Sequence, residues 1–429
     1  MAMICAGLLL AIMPTSYSAQ SSSGARLYTN AFLHCGNGDI YDEGALGVKD
    51  GMITFVGRAV NAKPADYDET FDLEGKHLYP ALIASNTTLG LNEISAVRAS
   101  RDHSETGDMN PNVRALIAYE TDSEVSATVK SNGILFAQVV PRGGRISGTS
   151  SILSLEGWNW EDAAYRIDEG LHLNWPRMYK YSGDEDDPKA FKANDSYEEE
   201  LRELREFFEK AQAYAKRESP LARDLKLEAM KGVFSGAKRL YVHSDFVKEI
   251  REVSLFKSDY EIPKLSIVGA YDSWMAADLL RENNISVLLR RVNSLPRFAE
   301  DPVDAPFSLP AKLAEAGVDF CLELNGSMET MQNRNLAFNA GTAVAYGLSR
   351  EKALEAITLA PAKIFGIDHL TGSLEKGKEA NFLISKGDLL DIRQSEIEAM
   401  YYRGEKVELK NRQDLLRERY SKKLGIELR

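Results

Sequence analysis

The feature that most constrains the fold is a series of short apolar runs in the middle of the chain, separated by stretches with helical periodicity. The eight runs that fit buried strands are residues 77–85, 134–140, 151–155, 171–175, 239–244, 264–270, 286–290 and 318–324. Strands that alternate with helices predict βαβ units in a parallel sheet, and eight is the strand number of a (β/α)8 barrel. Short runs are ambiguous, so two alternatives stay open: a doubly wound α/β sheet, and a hairpin over residues 151–175.

Two segments of different texture bracket this middle region. Between residues 26 and 71, short alternating runs are separated by turn residues, and the Asp50-Gly51 pair is typical of a tight hairpin because glycine tolerates a positive φ. Similar runs and turns return near the C-terminus. The expected organisation is a small β-sandwich from residues 24–76 and 372–409, a barrel over residues 77–371, and a C-terminal helix over residues 410–429.

The first 19 residues resemble a secretory signal peptide. Residues 1–13 form an apolar run, and a stretch of small residues follows Pro14, as at a signal-peptidase site. We therefore expect removal of residues 1–19 and export to the periplasm or the exterior. No Lys or Arg precedes the apolar run, which leaves a leader without this function as the alternative. No later stretch of 18 apolar residues occurs, so we expect no membrane span in the mature chain.

The balance of charge argues against a nucleic-acid partner. The 429 residues include 52 Lys and Arg against 64 Asp and Glu, a net charge of −12, whereas binding to a phosphate backbone requires a basic surface. The three cysteines, Cys5, Cys35 and Cys321, form no CxxC or CxxH pattern, so a cysteine-based zinc site is not expected. A small molecule is the expected substrate or ligand.

Two of the six histidines lie where a barrel would place functional groups. His172 lies within the run 171–175, and His243 lies near the end of the run 239–244. The carboxyl ends of barrel strands form the active face, so both residues are candidate metal ligands or acid–base groups. A histidine hydrogen-bonded inside the core is the alternative for each. No HxH, HExxH or HxxEH pattern occurs, so the compact zinc motifs are absent.

A stretch rich in glycine and serine, residues 142–151, contains two arginines. It matches none of the patterns GxxxxGK[ST], GxSxG and GxGxxG, so we expect a barrel loop rather than a phosphate cradle. A guanidinium group matches a carboxylate in geometry, which makes Arg142 and Arg145 candidate substrate-binding residues. If the barrel mouth binds a small molecule without catalysing a reaction, His103 and Glu105 are further candidate binding residues.

The C-terminal third contains the most specific pattern. Residues 340–367 (AGTAVAYGLSREKALEAITLAPAKIFGI) and 372–391 (GSLEKGKEANFLISKGDLLD) resemble the amidohydrolase superfamily, in particular its imidazolonepropionase-like branch. The similarity is to the family's Thr-x-x-Pro-Ala helix and to its Gly-Ser-Leu-x-x-Gly-Lys return to the small domain, with Asn381 where an Asp is usual. Members have a metal-bearing (β/α)8 barrel and a small β-sandwich built from both chain ends, so the resemblance implies this fold class here.

The same resemblance indicates three degenerate metal-ligand positions. On the first barrel strand, the family's two metal-binding histidines match Asn86 and Thr88. On the sixth strand, the family's histidine matches Gly269, which has no side chain to donate. Amide and hydroxyl oxygens bind a divalent transition metal more weakly than imidazole does.

Four residues remain at positions where the resemblance implies a ligand or a catalytic group. His172 matches the fourth strand and His243 the fifth, so these two are the expected metal residues. The aspartate of the eighth strand, which binds metal and acts as general base in the family, falls near Glu323 to Asn325, and we expect Glu323 and Asn325 as the catalytic pair. Two histidines and one carboxylate only just reach the three protein ligands of a catalytic zinc site.

The resemblance thus implies a relative of hydrolases of cyclic or non-peptide C–N bonds, with reduced or absent metal hydrolase activity. Pairing with an active relative, as a homo- or hetero-oligomer, is part of this expectation. Two alternatives stay open: an active mononuclear enzyme that hydrolyses a cyclic amide or a dipeptide-like molecule, and an exported small-molecule binding module. The expected cofactor is one divalent metal, zinc, or none.

Overall fold

The structure, a computed structural model, describes residues 24–181, 191–217, 222–298, 300–326 and 328–426. Its strands, numbered along the chain, are β1 (Arg26–His34), β2 (Ile40–Lys49), β3 (Met52–Arg58), β4 (Glu69–Asp72), β5 (His77–Pro80), β6 (Leu82–Thr87), β7 (Ile134–Val139), β8 (Ile146–Ser154), β9 (Ala164–Asn174), β10 (Tyr179–Tyr181), β11 (Phe191–Ala193), β12 (Arg239–Ser244), β13 (Leu265–Gly269), β14 (Ser286–Leu289), β15 (Phe320–Leu322), β16 (Phe382–Ser385), β17 (Ile397–Tyr402) and β18 (Glu405–Lys406). The expected signal peptide, residues 1–19, lies outside the described residues.

The helices alternate with strands mainly in the second half of the chain. The α-helices are α1 (Glu124–Lys130), α2 (Trp160–Ala163), α3 (Tyr197–Ala215), α4 (Leu225–Ser235), α5 (Val247–Asp259), α6 (Ala277–Glu282), α7 (Ala305–Glu315), α8 (Glu329–Gln332), α9 (Leu336–Ala345), α10 (Arg350–Glu355), α11 (Leu359–Phe365) and α12 (Arg412–Leu424). The last of these, α12, has no buried residue. Within the described part of the chain, no helix has both the length and the apolar character needed to cross a bilayer.

Both chain ends contribute strands to one mixed sheet. Its order is β18-β17-β16-β5-β1-β2-β3, with β4 paired to β1. The central contact joins the two ends, because β5 pairs parallel with β1 and antiparallel with β16. This sheet has its own apolar core, in which the ring of Tyr28 lies 5.1 Å from that of Phe382.

The second large sheet is an eight-stranded, nearly closed barrel. Its order is β15-β14-β13-β12-β9-β8-β7-β6, and a parallel bridge between Ser85 and Glu323 joins the two edges. The predicted eight-stranded α/β barrel is therefore confirmed. One strand departs from the parallel pattern, since β8 runs antiparallel to both β7 and β9. The hairpin alternative over 151–175 thus describes this part of the barrel.

Two local expectations are wrong. The run 77–85 is not one barrel strand. Residues 77–80 form β5, which lies in the sheet built from both chain ends, and barrel strand β6 begins only at Leu82. The stretch 142–151 is not all loop, because β8 begins at Ile146. Its serines are compatible with a buried strand since they find internal partners; the Ser150 hydroxyl, for example, donates to Glu169 at 2.6 Å.

Candidate active site at the barrel mouth

The candidate site lies where several barrel strands end. Asn86 is near the end of β6, His243 near the end of β12, and Gly269 ends β13. Arg290 and Glu323 come directly after β14 and β15. A cavity of about 320 Å³ opens here. Its lining includes His243, Gly269, Arg290 and Glu323 but not Asn86. This is the face on which parallel barrels place their functional groups.

Arg142 and Asn86 are joined by two hydrogen bonds. Arg142 Nη1 donates to the Asn86 side-chain oxygen at 2.5 Å, and Nη2 donates to the Asn86 carbonyl at 2.7 Å. Asn86 is fully buried and has a φ of +50°, a left-handed conformation that asparagine tolerates better than most residues. It lies in a break of the β6–β7 register, and such irregularities are common beside functional sites. The first position predicted to be a degenerate ligand therefore binds a guanidinium group of the protein itself.

Thr88, the second position predicted to be a degenerate ligand, is also hydrogen-bonded to another residue of the protein. Its N–H donates to Glu329 Oε1 at 2.8 Å, and its hydroxyl donates to the same oxygen. Arg142 Nη2 lies 3.8 Å from that oxygen. Glu329 is nine-tenths buried, so the nearby guanidinium supplies charge compensation that a buried carboxylate needs. Asn86 and Thr88, which match the positions of the family's metal-binding histidines, are thus linked through Arg142 and Glu329.

His172 and His243 form a hydrogen-bonded pair. His172 Nδ1 lies 3.0 Å from His243 Nε2, and His172 Nε2 lies 3.0 Å from the Ser150 hydroxyl. Burial, together with the neighbouring His243, lowers the pKa of His172 well below its usual range. Burial, with a smaller effect of the Arg142 cation, lowers the pKa of His243 to about 3. Both rings are therefore neutral at pH 7, and both ring nitrogens of His172 have protein partners.

Gly269 leaves space that a carboxylate occupies. Its φ is +95°, and a Cβ placed on it would lie 2.6 Å from Asp245 Oδ1. Asp245 Oδ2 accepts from Arg290 Nη2 at 3.2 Å and from Arg297 Nη2 at 2.5 Å. Burial alone would raise the pKa of Asp245, but the two guanidinium groups outweigh it and hold this pKa below its ordinary value. A histidine at position 269 has no room beside this ionised carboxylate.

Glu323 has the most unusual ionisation at the mouth. It is 1% exposed, and burial raises its pKa to about 7, while Arg290 and the Asn325 N–H act in the opposite direction. Its Oε2 accepts from the Asn325 N–H at 2.5 Å and from the Asn86 amide at 3.4 Å. Both expected catalytic residues, Glu323 and Asn325, line the 320 Å³ cavity. A carboxyl group with a pKa near 7 exchanges a proton readily at neutral pH.

The four predicted substrate-binding residues separate in space. Arg142 lines the cavity, but Arg145 instead donates to Glu200 at 2.7 Å and does not line it. His103 lines a neighbouring cavity that also contains Arg142. Glu105 is exposed and accepts from the N–H and hydroxyl of Thr106, the next residue, so the structure does not bring it to the mouth.

Sequence reasoning missed five charged residues that line the cavity, namely Arg177, Asp245, Glu249, Arg290 and Arg297. Two of them had a usable signal. Arg290 is the last residue of the run 286–290, and Asp245 follows the strand that contains His243. Residues just after a barrel strand belong to the active face. Arg177 and Arg297 lie in long connections, where no pattern predicts their position.

Comparisons with known proteins agree with this architecture. Residues 308–410 match the model of the amidohydrolase family. The solved structure of an amidohydrolase from Thermotoga maritima MSB8 has a TM-score of 0.75 at 22% identity, over 89% of this chain and 99% of that chain. An adenosine deaminase from Xanthomonas campestris with bound zinc has a TM-score of 0.54 at 13% identity, over 93% and 98% of the two chains. At these identities the structures show a common fold.

A curated relative matches a shorter segment. The adenine deaminase of Desulforamulus reducens is 29% identical over 86 residues, which are 20% of this chain and 14% of that protein. The family model covers the C-terminal part of the chain, and the solved structures share its fold. Residues 308–410 are thus similar to the amidohydrolase family, within a fold that amidohydrolases share. The predicted resemblance to the amidohydrolase superfamily is therefore confirmed, while the imidazolonepropionase-like branch stays a prediction.

Amidohydrolases typically use a divalent metal, which needs several side-chain donors around one point. Among the residues that the structure describes, no three His, Cys, Asp or Glu side chains converge on a point that could hold a metal ion. The side-chain oxygen of Asn86 accepts from Arg142, and that of Thr88 faces Glu329. The described donor set does not fit the superfamily's metal centre, and the site's chemistry has to be argued from protein groups alone.

Proposed function

We propose that this protein has reduced or absent metal hydrolase activity and that its barrel mouth serves as a small-molecule binding site. The observation that supports this most directly is the pairing of Arg142 with Asn86, at 2.5 and 2.7 Å. A guanidinium group cannot be deprotonated in a protein. A fixed positive charge at the first metal-ligand position opposes the binding of a divalent cation by Coulomb repulsion.

Glu323 is the carboxyl group that hydrolysis at this site would need. In metal-dependent hydrolysis, a metal lowers the pKa of a bound water towards 7, and a carboxylate takes its proton. Burial raises the pKa of Glu323 to about 7, so part of this group is protonated at neutral pH. The nearby cations Arg290 and Arg142 reduce the effect of burial without cancelling it.

Metal content tests this proposal. The purified chain is incubated with excess zinc, passed through a desalting column and analysed by mass spectrometry for metal. The zinc-containing adenosine deaminase from Xanthomonas campestris, treated identically, is the positive control. We expect far less than one zinc per chain. One tightly held zinc per chain that disappears in the His243→Ala variant would refute the proposal and support the mononuclear hydrolase instead.

Activity provides an independent measurement. The same preparation is assayed against simple amides, dipeptides and adenosine, with and without added zinc. We expect no turnover above that of the Glu323→Gln variant, because this substitution removes the only carboxyl group proposed for proton transfer. Zinc-dependent turnover lost in that variant would contradict the proposal.

Export and pairing remain proposals of their own. Fusion of residues 1–19 to a reporter enzyme that is active only after export tests the leader, and a fusion that stays inactive would contradict it. Light scattering on the purified protein, alone and with a related active amidohydrolase, tests pairing. We expect a mass greater than one chain in at least one of the two samples, and a monomer in both would contradict pairing.

A further inference from the structure

Four arginines line the 320 Å³ cavity at the barrel mouth: Arg142, Arg177, Arg290 and Arg297. They come from three separate parts of the chain, since Arg290 and Arg297 share one connection, and the folded barrel brings these parts together. The chain as a whole has a net charge of −12. A cationic cavity in an acidic protein is a local reversal of charge, and such a cavity concentrates ligands of negative charge.

The acidic groups of the cavity do not cancel this charge. Asp245 is shared by Arg290 and Arg297. The buried carboxyl group of Glu249 accepts from the Met178 N–H at 2.9 Å and from the Ser244 hydroxyl at 3.1 Å, rather than from an arginine, and burial raises its pKa.

Glu323 is the third carboxyl group of the cavity, and its Oε2 accepts from the Asn325 N–H at 2.5 Å rather than from an arginine. The four guanidinium groups therefore exceed the ionised carboxylates that line the same cavity. Even with all three carboxyl groups ionised, the lining of this cavity keeps an excess of one positive charge; Glu329, which lies 3.8 Å from Arg142, lines the neighbouring cavity.

Arg142 and Arg297 are held in place by contacts within the protein, whereas Arg177 and Arg290 are more exposed. Arg297 stacks over the rings of Phe246 and Tyr271, at 4.7 and 5.1 Å, and its side chain is 13% exposed. The side chain of Arg290 is 41% exposed and donates one of its five N–H groups to Asp245. Arg177 is exposed.

We propose that this cavity binds a small dianion, with Arg177 and Arg290 in direct contact and with Arg142 and Arg297 supplying the fixed field. The inference rests on the proposed binding function, and it names the ligand class. A dicarboxylate and a phosphate monoester share the required chemistry, since both present planar or tetrahedral oxyanions that a guanidinium group grips with two N–H donors. The cavity volume is at the lower end of the range for small-molecule sites, which limits the ligand to a compact molecule.

Calorimetric titration of the protein at pH 7.5, where succinate and inorganic phosphate are both mainly dianions, tests the inference. The probes are succinate, inorganic phosphate and the uncharged diamide of succinic acid. We expect at least one dianion to bind and the diamide to bind at least roughly tenfold more weakly, because charge-assisted hydrogen bonds are lost. A preference between succinate and phosphate identifies the kind of oxyanion, and either preference supports the inference.

Variants then test the contacts. We expect Arg177→Gln and Arg290→Gln each to weaken binding roughly tenfold and Arg290→Lys to weaken it less, since lysine keeps the charge but loses the two-pronged geometry. Arg202→Gln on α3, which removes an exposed arginine paired with Glu199, is the matched control and should bind as the wild type does. Arg177 is exposed, so its variant tests the contact even if substitution at the partly buried Arg290 disturbs folding.

Three results would overturn the inference: no dianion binds, the diamide binds as tightly, or neither arginine variant changes the affinity. None of these depends on metal content, so the inference can fail while the proposed loss of metal hydrolysis stands. Conversely, a zinc ion held by His243 would refute the proposed function even if a dianion bound.

Discussion

Replacing Glu323 by glutamine should stabilise the protein at alkaline pH and much less at acidic pH. In the folded chain, burial raises the pKa of this carboxyl group to about 7 from an ordinary value of 4.5. The folded state therefore binds the proton more tightly than the unfolded state does. The resulting stability is fully present below pH 4.5 and is lost as the pH rises through 7. Glutamine is neutral throughout and can keep the Asn325 N–H bond.

The magnitude follows from the two pKa values. Their difference corresponds to about 3 kcal/mol once both states are ionised, and part of this loss has already occurred at pH 5. Between pH 5 and pH 8, the advantage of the glutamine variant should grow by about 2 to 3 kcal/mol. The growth with pH is more informative than the value at one pH, because it cancels any constant effect of the amide on packing or hydrogen bonding.

Differential scanning calorimetry at pH 5, 6, 7 and 8 measures this growth. For a barrel of roughly 300 residues, an unfolding entropy of about 2.1 cal/mol/K per residue converts 2 to 3 kcal/mol into a Tm shift of roughly 4 °C. The buried histidines His172 and His243 have lowered pKa values and also titrate, but they do so in both proteins, so their effect drops out of the comparison.

The exposed Glu198 on α3 provides a matched control, since Glu198→Gln removes the same charge at the surface. Its Tm difference from the wild type should change little with pH. The reasoning about Glu323 is refuted if the Tm difference of its variant stays constant within about 1 °C from pH 5 to pH 8, or if it shrinks as the pH rises.

Three further predictions concern the same site. Arg142→Ala should lower the free energy of unfolding by about 2 to 4 kcal/mol, because it leaves the two buried oxygens of Asn86 without their Arg142 donors. Thermal unfolding measures this, and an unchanged Tm would contradict it. Gly269→Ala should destabilise the protein by about 1 to 3 kcal/mol more than the control Gly38→Ala. Both glycines have a positive φ, but only at Gly269 would the new Cβ lie 2.6 Å from another side chain. Equal Tm losses in the two variants would exclude the steric explanation. The affinity for succinate should fall roughly tenfold between pH 6 and pH 8, because ionisation of Glu323 adds negative charge beside Arg290, Arg142, Asn86 and Glu329. Titration calorimetry on the Glu323→Gln variant should show a smaller fall.

The sequence predicted the framework because the framework depends on repeated local patterns. Apolar runs of strand length alternate with helices, and their number gave the eight-stranded barrel. The segment 372–391 and the turn signals near the N-terminus predicted that both ends would form β structure, and strands β1 to β4 and β16 to β18 do share one sheet. His243 was identified from its position near the end of a strand, and it does line the cavity.

The details of the site could not be obtained in this way, because they depend on contacts between distant positions. Arg142 and Asn86 are 56 residues apart, and whether a guanidinium group fills the space beside an asparagine depends on how β6 and β7 register. Arg145, only three residues from Arg142, pairs with Glu200 instead. A residue type at the right spacing is a candidate, and the direction of its side chain decides its partner.

The amino-acid sequence by itself determined the resemblance to amidohydrolases, the number of barrel strands and the residue types at Asn86, Thr88 and Gly269. Only the tertiary structure decided that one barrel strand runs antiparallel and that four arginines converge on one cavity. The physical reason is that hydrophobic periodicity is a local property of the chain, whereas electrostatic energy depends on distances that exist only after the barrel has closed.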